Sequence, residues 1–234
     1  MKVLAIDTSN EILGLSLINH DKVIGEYSTN VNKNHSIRLM PAIEHLLKDC
    51  QTTPDELTKI VVAEGPGSYT GVRIGVTVAK LMAWSLSIPL IGVSSLAALA
   101  ANAHHFSGHI CPLFDARRGL VYTGLYRYGA DHVLQQVQTD TNTLVDDWLD
   151  ELVELREPIL FIGNDVSIHR EIITKKLGGY ACFSTIAQNN PRASELAVLG
   201  NQYAERDIHS FTPNYIRLVE AEAKWLEKQV KDHD

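Results

Sequence analysis

Cysteine is scarce in this 234-residue chain. Cys50, Cys111 and Cys182 are scattered, odd in number and form no CxxC pair. That excludes a disulfide frame or a zinc knuckle and predicts reduced core residues of a cytoplasmic protein. Long apolar runs are missing as well: nothing approaches the ~18 residues of a membrane span, so no membrane contact is expected. The N-terminal "MKVLAIDTSNE" runs straight into a strand and lacks the cleavage region of a signal peptide. Positive charge is also short, with a formal net charge of −7. Nucleic-acid affinity comes mainly from clustered Lys and Arg, so the chain is not expected to grip RNA unaided. Among catalytic signatures, neither GxxxxGK[ST] nor GxSxG occurs.

What is present is an ordinary globular composition, 45% hydrophobic and 21% charged. The length suits one large domain or two of ~110 residues. "KVLAI" reads as a buried strand, "DTSNE" as a polar turn, "ILGLSLI" as a second strand and "HDKVIGEYST" as a turn and third strand. From Ser36 the period changes, and Leu39, Met40, Ile43, Leu46, Leu47 and Cys50 share one side of a helix. "KIVVAEG" is a continuous apolar run, as in a buried parallel strand, and a helix opens near Thr70 before the strand "PLIGVSS". A similar order restarts near residue 109, where "ICPLFDARRGLVY" laid on "VLAIDTSNEILGL" puts Asp115 on Asp7. Two helical stretches follow, Asn142 to Arg156 and Ala193 to Arg206, split by the strand Pro158 to Asp165. This order predicts an α/β fold of two tandem ribonuclease-H-like units, as in the actin, sugar-kinase and heat-shock-protein (ASKHA) class. The expected units are 1–106 and 107–234, divided in the polar stretch "NAHHFSGH".

Several residues are candidates for chemistry, each with a plainer alternative. Asp7 and Ser9 follow the first strand, where this fold presents groups to phosphate and magnesium, but Asp, Ser and Asn also favour simple turns. "GPGSYTG" contains Gly67 and Ser68; its glycines suit either an anion at a helix start or a tight structural turn. His105 and His109 form a literal HxxxH, yet Ser107 and Gly108 between them support a helix poorly, so no metal site is expected. Asp7, Glu64 and Asp115 resemble a metal-dependent nuclease set only if the two units bring them together. Arg117 and Arg118 read as partners in structural ion pairs. The segment Asp140 to Glu154 is either a solvated acidic face or a docking site. The helix after Gly71 confines its polar groups to Arg73, Thr77, Lys80 and Ser87, while Gly71, Gly75, Ala79 and Ala83 make a ridge that another backbone can approach. Such a helix is covered on more than one side, by its own chain or by a partner.

Together, "IDTSNE", "GPGSYTGVRIGVTVAK", "PLIGVSSLAALA", "DARRGLVY" and "PNYIR" resemble the bacterial TsaB family, also called YeaZ, over essentially the whole chain. The resemblance implies a role in making tRNA N6-threonylcarbamoyladenosine (t6A). It implies a non-catalytic partner that stabilises the transferase TsaD through N-terminal helices, with the ATPase TsaE completing the assembly. It also implies a homodimer when alone, tRNA contact only through the complex, and ATP, ADP and Mg held by the partner proteins. TsaD-like proteins carry a metal-binding HxxxH after a strand ending in Gly-Val; here Ser95 and Leu99 stand at those positions, and neither replaces an imidazole ligand. No catalytic residue and no metal ligand is therefore assigned. Leu39, Ile43, Leu46, Val72, Val76, Val78 and Met82 are the expected partner contacts, in a four-helix layer shared between two proteins. Asp7, Ser9, Gly67 and Ser68 are the expected vestige of a nucleotide site. The other reading is an ATP-dependent phosphotransferase or hydrolase acting by itself.

Overall fold

Strands buried on both faces must be apolar at nearly every position, and this chain has such runs in both halves. The computed structural model describes residues 1–31 and 34–216. Arg217 of "PNYIR" and the end of the second expected unit lie outside the described residues. The first sheet contains β1 (Lys2–Asp7), β2 (Ile12–Asn19), β3 (Lys22–Asn30), β4 (Lys59–Gly65) and β5 (Leu90–Ser94), in the order β3-β2-β1-β4-β5. The first three strands form an antiparallel meander, and β4 and β5 then add in parallel beside β1. Helix α1 (His35–Asp49) follows β3, and α2 (Tyr69–Leu86) joins β4 to β5.

The second sheet contains β6 (His109–Asp115), β7 (Leu120–Tyr128), β8 (Leu134–Leu144), β9 (Ile159–Ile162) and β10 (Ala181–Phe183), in the order β10-β9-β6-β7-β8. Read from its own first strand, that is the same topology as the first sheet. Asp7 and Asp115 each end the first strand of their unit. Helices α4 (Val145–Val153) and α5 (Val166–Leu177) belong to this half.

Side chains alternate across a strand, so each sheet offers two apolar faces. Leu4, Ile6, Ile60 and Val62 face α1 and α2, while Val3, Ala5, Val61 and Ala63 face the other way. Those inward residues share a core with Ile110, Leu160 and Ile162 of the second sheet. Between the sheets lie two short apolar helices, α3 (Ser95–Ala100) and α6 (Ala193–Leu199). Cys111, Leu113, Ile159 and Phe161 face outward onto α4 and α5. The result is five layers, helix–sheet–helix–sheet–helix, with α3 and α6 shared. Helix α6 comes from the C-terminal half yet packs on β1 and β2.

Some expectations shift. The stretch from Asn142 enters its helix at Val145, because residues to Leu144 pair with β7 as a strand. The last expected helix ends at Leu199 rather than Arg206. Strand β8, helix α5 and the short β10 lie beyond the expected elements: β8 is a Gln- and Thr-rich edge strand, and α5 places Ile168 in solvent opposite its buried Val166, Ile173 and Leu177.

Helix α6 has no side-chain cap of its own. Glu26 on β3 supplies one: its carboxylate accepts from Ser194 N (3.0 Å), Ser194 Oγ (2.7 Å) and Arg192 Nη2 (2.7 Å). Burial alone raises the Glu26 pKa, but the hydrogen bonds from Arg192 and Ser194 outweigh it and hold the group below its ordinary 4.5. A depressed carboxylate stabilises the fold above its unfolded pKa, and that stability is lost as pH falls through the folded value. Glu26→Gln is expected to cost about 1 kcal/mol at neutral pH, discounted for partial exposure, and to cost progressively less below about pH 4. Urea unfolding across that pH range checks it; a cost that does not change with pH contradicts the assignment.

Candidate functional site

The glycine-rich loop is seated on the end of β1. A Cβ at Gly67 would collide with the Ser9 carbonyl, and one at Gly71 with the Thr8 carbonyl. One at Gly75 would lie 2.5 Å from Thr8 Oγ1. Thr8 Oγ1 in turn donates to the Gly71 carbonyl at 2.7 Å. The small ridge of α2 is thus buried against its own first strand, which explains why Gly and Ala recur along it. Four amides of this stretch are committed: Gly65 N donates to Ser95 Oγ, Ser68 N to Ser9 O, Gly71 N to Ser68 Oγ and Val72 N to Ser68 O. The glycines here serve close approach rather than a free phosphate cradle.

Beside this loop the two units enclose a cleft of about 600 Å³, lined by Ser9, Asn10, Glu11, Gly67 and Ser68 on one side and Asp115, Arg117 and Asp165 on the other. Asp7 lies beneath it, 2% exposed. Its Oδ1 accepts from Ser9 N (2.8 Å) and Ser9 Oγ (2.7 Å), while Oδ2 is buried without a partner. Asp115 Oδ1 meets His169 Nε2 at 3.1 Å, and the Asp115 amide donates to Asp165 Oδ2 at 2.9 Å. Burial raises the Asp165 pKa, and the charges of Asp115 and Glu11 push the same way, against the amide bond from Asp115. Three carboxylates, Glu11, Asp115 and Asp165, stand on the walls of the cleft. No group of three or more His, Cys, Asp or Glu that could hold a metal occurs among the described residues.

Arg117 corrects the ion-pair expectation. Its backbone amide donates to Asp115 Oδ2 at 3.2 Å, while the guanidinium forms no ion pair among the described residues. His105 is exposed in a turn and His109 is buried at the start of β6 against Glu157, so the two share no helical face. Ser95 and Leu99, at the positions of the TsaD-like histidines, are fully buried on α3. Leu99 packs in the shared core.

The expected partner contacts face the wrong way. Leu39, Ile43, Leu46, Val72 and Val76 are buried in the chain's own core against the first sheet. Val78 and Met82 are half-buried beside them. The outer face of the same two helices carries other large apolar groups: Ile37 is 70% exposed, Met40 49%, Leu81 58% and Trp84 62%. Arg73, Thr77 and Ser85 accompany them in solvent.

Two sheets of identical topology sharing a helical layer, with a cleft between their first-strand ends, define a protein of the actin, sugar-kinase and heat-shock-protein class. A hexokinase of the ROK type from Thermus thermophilus superposes with a TM-score of 0.51 at 9% identity, over 86% of this chain and 99% of that one. A Pseudomonas aeruginosa protein described as similar to the peptidase YeaZ gives 0.77 at 22% identity, over 92% and 99%. Residues 17–225 match the family model "TsaD: tRNA N6-adenosine threonylcarbamoyltransferase". The Bacillus subtilis tRNA threonylcarbamoyladenosine biosynthesis protein TsaB is 56% identical over 229 residues, 98% of this chain and all of that one. The chain belongs to the TsaB (YeaZ) family.

Asp7 has a consequence for stability. Burial pushes its carboxyl above the ordinary 3.8, against the two Ser9 hydrogen bonds and the nearby His35, which pull it down. A raised carboxyl binds its proton more tightly folded than unfolded, so stability falls as pH rises from the unfolded pKa through the folded one. Asp7→Asn keeps an oxygen for Ser9 and cannot ionise. Its stability relative to the parent is expected to improve as pH rises above the ordinary carboxyl value of 3.8 in chemical unfolding. A difference that stays constant as pH rises contradicts the account.

Proposed function

We propose that this chain is a non-catalytic subunit of t6A biosynthesis that binds and stabilises a TsaD-type transferase through the outer face of α1 and α2. The observation that carries the reading is the exposed set Ile37, Met40, Leu81 and Trp84, large side chains that the chain's own core leaves uncovered. Small residues on the inner ridge of α2 leave Leu81 and Trp84 on its outer side, beside Ile37 and Met40 of α1, and a partner that buries the four gains the apolar area and the tryptophan anchor typical of strong interfaces. Family membership supplies the pathway. The buried Ser95 and Leu99, which offer no imidazole, support the TsaD-type partner rather than this chain as the holder of the catalytic metal. Within this reading the chain works in the cytoplasm, pairs with itself through the same face when TsaD is absent, and meets TsaE and tRNA only in the assembled complex. Nucleotide and Mg then belong to those partners.

Size-exclusion chromatography with light scattering, on the chain alone and with TsaD, tests the reading. Trp84→Glu and Leu81→Glu are expected to weaken the heterodimer by about a hundredfold or more while leaving the melting temperature near the parent value. Val76→Ala, in the core, is expected to lower the melting temperature and spare the interface. Heterodimers that survive both charge substitutions sink the outer-face assignment. Turnover of ATP by the isolated chain, abolished in Asp7→Ala, would instead favour an enzyme acting by itself, for which the unpartnered Asp7 Oδ2 is the pertinent feature.

A further inference from the structure

Helix α2 is seated on β1 and packs beside α1, and a third stretch of chain reaches it from the C-terminal half. After α6, residues 203–216 cross the first unit as a strap with no helix or strand of its own. Arg206 N donates to the Leu90 carbonyl at 2.8 Å, and Arg206 Nη2 to both carboxylate oxygens of Glu64 at 2.8 and 3.0 Å. Asn214 N donates to the Glu64 carbonyl at 2.7 Å. Between these ties the Asp207 carboxylate holds a turn by accepting from His209 N and Ser210 Oγ. The turn delivers Phe211, 7% exposed, into the core that α1 and α2 share. Two glycines of the first unit make room for it. A Cβ at Gly65 would lie 2.5 Å from the Asn214 carbonyl oxygen, and one at Gly92 2.8 Å from Phe211 Cζ. The strap is therefore a built part of the first unit's helical layer, although the C-terminal half supplies it.

It grips α2 at two points. Tyr215 stacks on Tyr69, the first residue of the helix, with ring centroids 4.6 Å apart. Lys80 Nζ donates to the Phe211 carbonyl at 2.6 Å and to the His209 carbonyl at 3.4 Å. Lys80 precedes Leu81 by one residue and Trp84 by four, so this second grip falls beside the large groups that α2 exposes. A helix held at its start and again past its middle keeps one pitch. Where it is not held, a partner's apparent affinity falls by the fraction of time its contact residues are out of place.

We propose that residues 206–215 are a positioning strap, which through Tyr215 and Lys80 holds α2 so that Leu81 and Trp84 are pre-arranged for the partner. Affinity for the partner then depends on a segment outside the contact itself. The proposal rests on the reading of α1 and α2 as the docking face.

The test uses two variants at the grips, Tyr215→Ala and Lys80→Met, with Tyr215→Phe, which keeps the ring, as the rescue. Amide exchange over Tyr69–Leu86 is read in the full chain carrying Trp84→Glu, so that self-association through the same face does not mask it. Both variants are expected to quicken exchange over α2 about tenfold. With Trp84 in place, both are expected to weaken binding to TsaD about tenfold in titration calorimetry. Tyr215→Phe stays at the parent values in both measurements. Exchange at the parent rate in both variants overturns the proposal. So does faster exchange with parent-like affinity, which makes the strap a stabilising element only. Weaker affinity with unchanged exchange overturns it as well, because the strap is then itself a partner contact. If the parent chain fails to bind TsaD, the docking reading fails instead, and the exchange rate alone decides the strap's hold on α2, faster for it and unchanged against it.

Discussion

The close seating of α2 on the end of β1 is the constraint on which the first unit depends. Gly71 and Gly75 let the helix backbone touch Thr8, and the Thr8 hydroxyl fastens it through the Gly71 carbonyl. A helix that spends its small residues inward has only two places for large ones. Val72 and Val76 wedge against the first sheet, and Leu81 and Trp84 are left outside. The same seating holds the glycine-rich loop through amide bonds to Ser9, Ser68 and Ser95. A packing device and an exposed apolar face are therefore two results of one approach distance.

The second organising feature is the shared layer between the sheets. Helix α3 leaves the first sheet and packs on β6 and β7, while α6 leaves the second half and packs on β1 and β2. Each unit thus lends a helix to the other's core. The Glu26 cap on α6 ties β3 to that exchange through Ser194 and Arg192. With the inner layer fixed in this way, the cleft between Asp7 and Asp115 is held by packing on both sides.

The fold was largely legible in the sequence because strand runs such as "KIVVAEG" have one reading, and because the Asp7 to Asp115 alignment marks a repeat. Strand β8 was not legible, since Gln and Thr on an edge strand leave no apolar alternation to detect. Helix α5 is less legible because its apolar groups do not form one clean stripe: Ile168 is exposed while Val166, Ile173 and Leu177 are buried. The candidate site was half legible. Both helices are legible as apolar, but a helical projection does not say which apolar sector meets its own sheet: Leu39 and Val76 turn inward and Trp84 outward. The Gly and Ala ridge was the signal that could have settled it, because small residues mark the side of closest approach.

Amide hydrogen exchange on the chain, free and bound to TsaD, tests the central claim most directly. The account predicts slowed exchange confined to the peptides of α1 and α2, His35–Asp49 and Tyr69–Leu86, with α4 and α5 unchanged. Protection of α4 and α5 instead, or none on either pair under saturating TsaD, would contradict it.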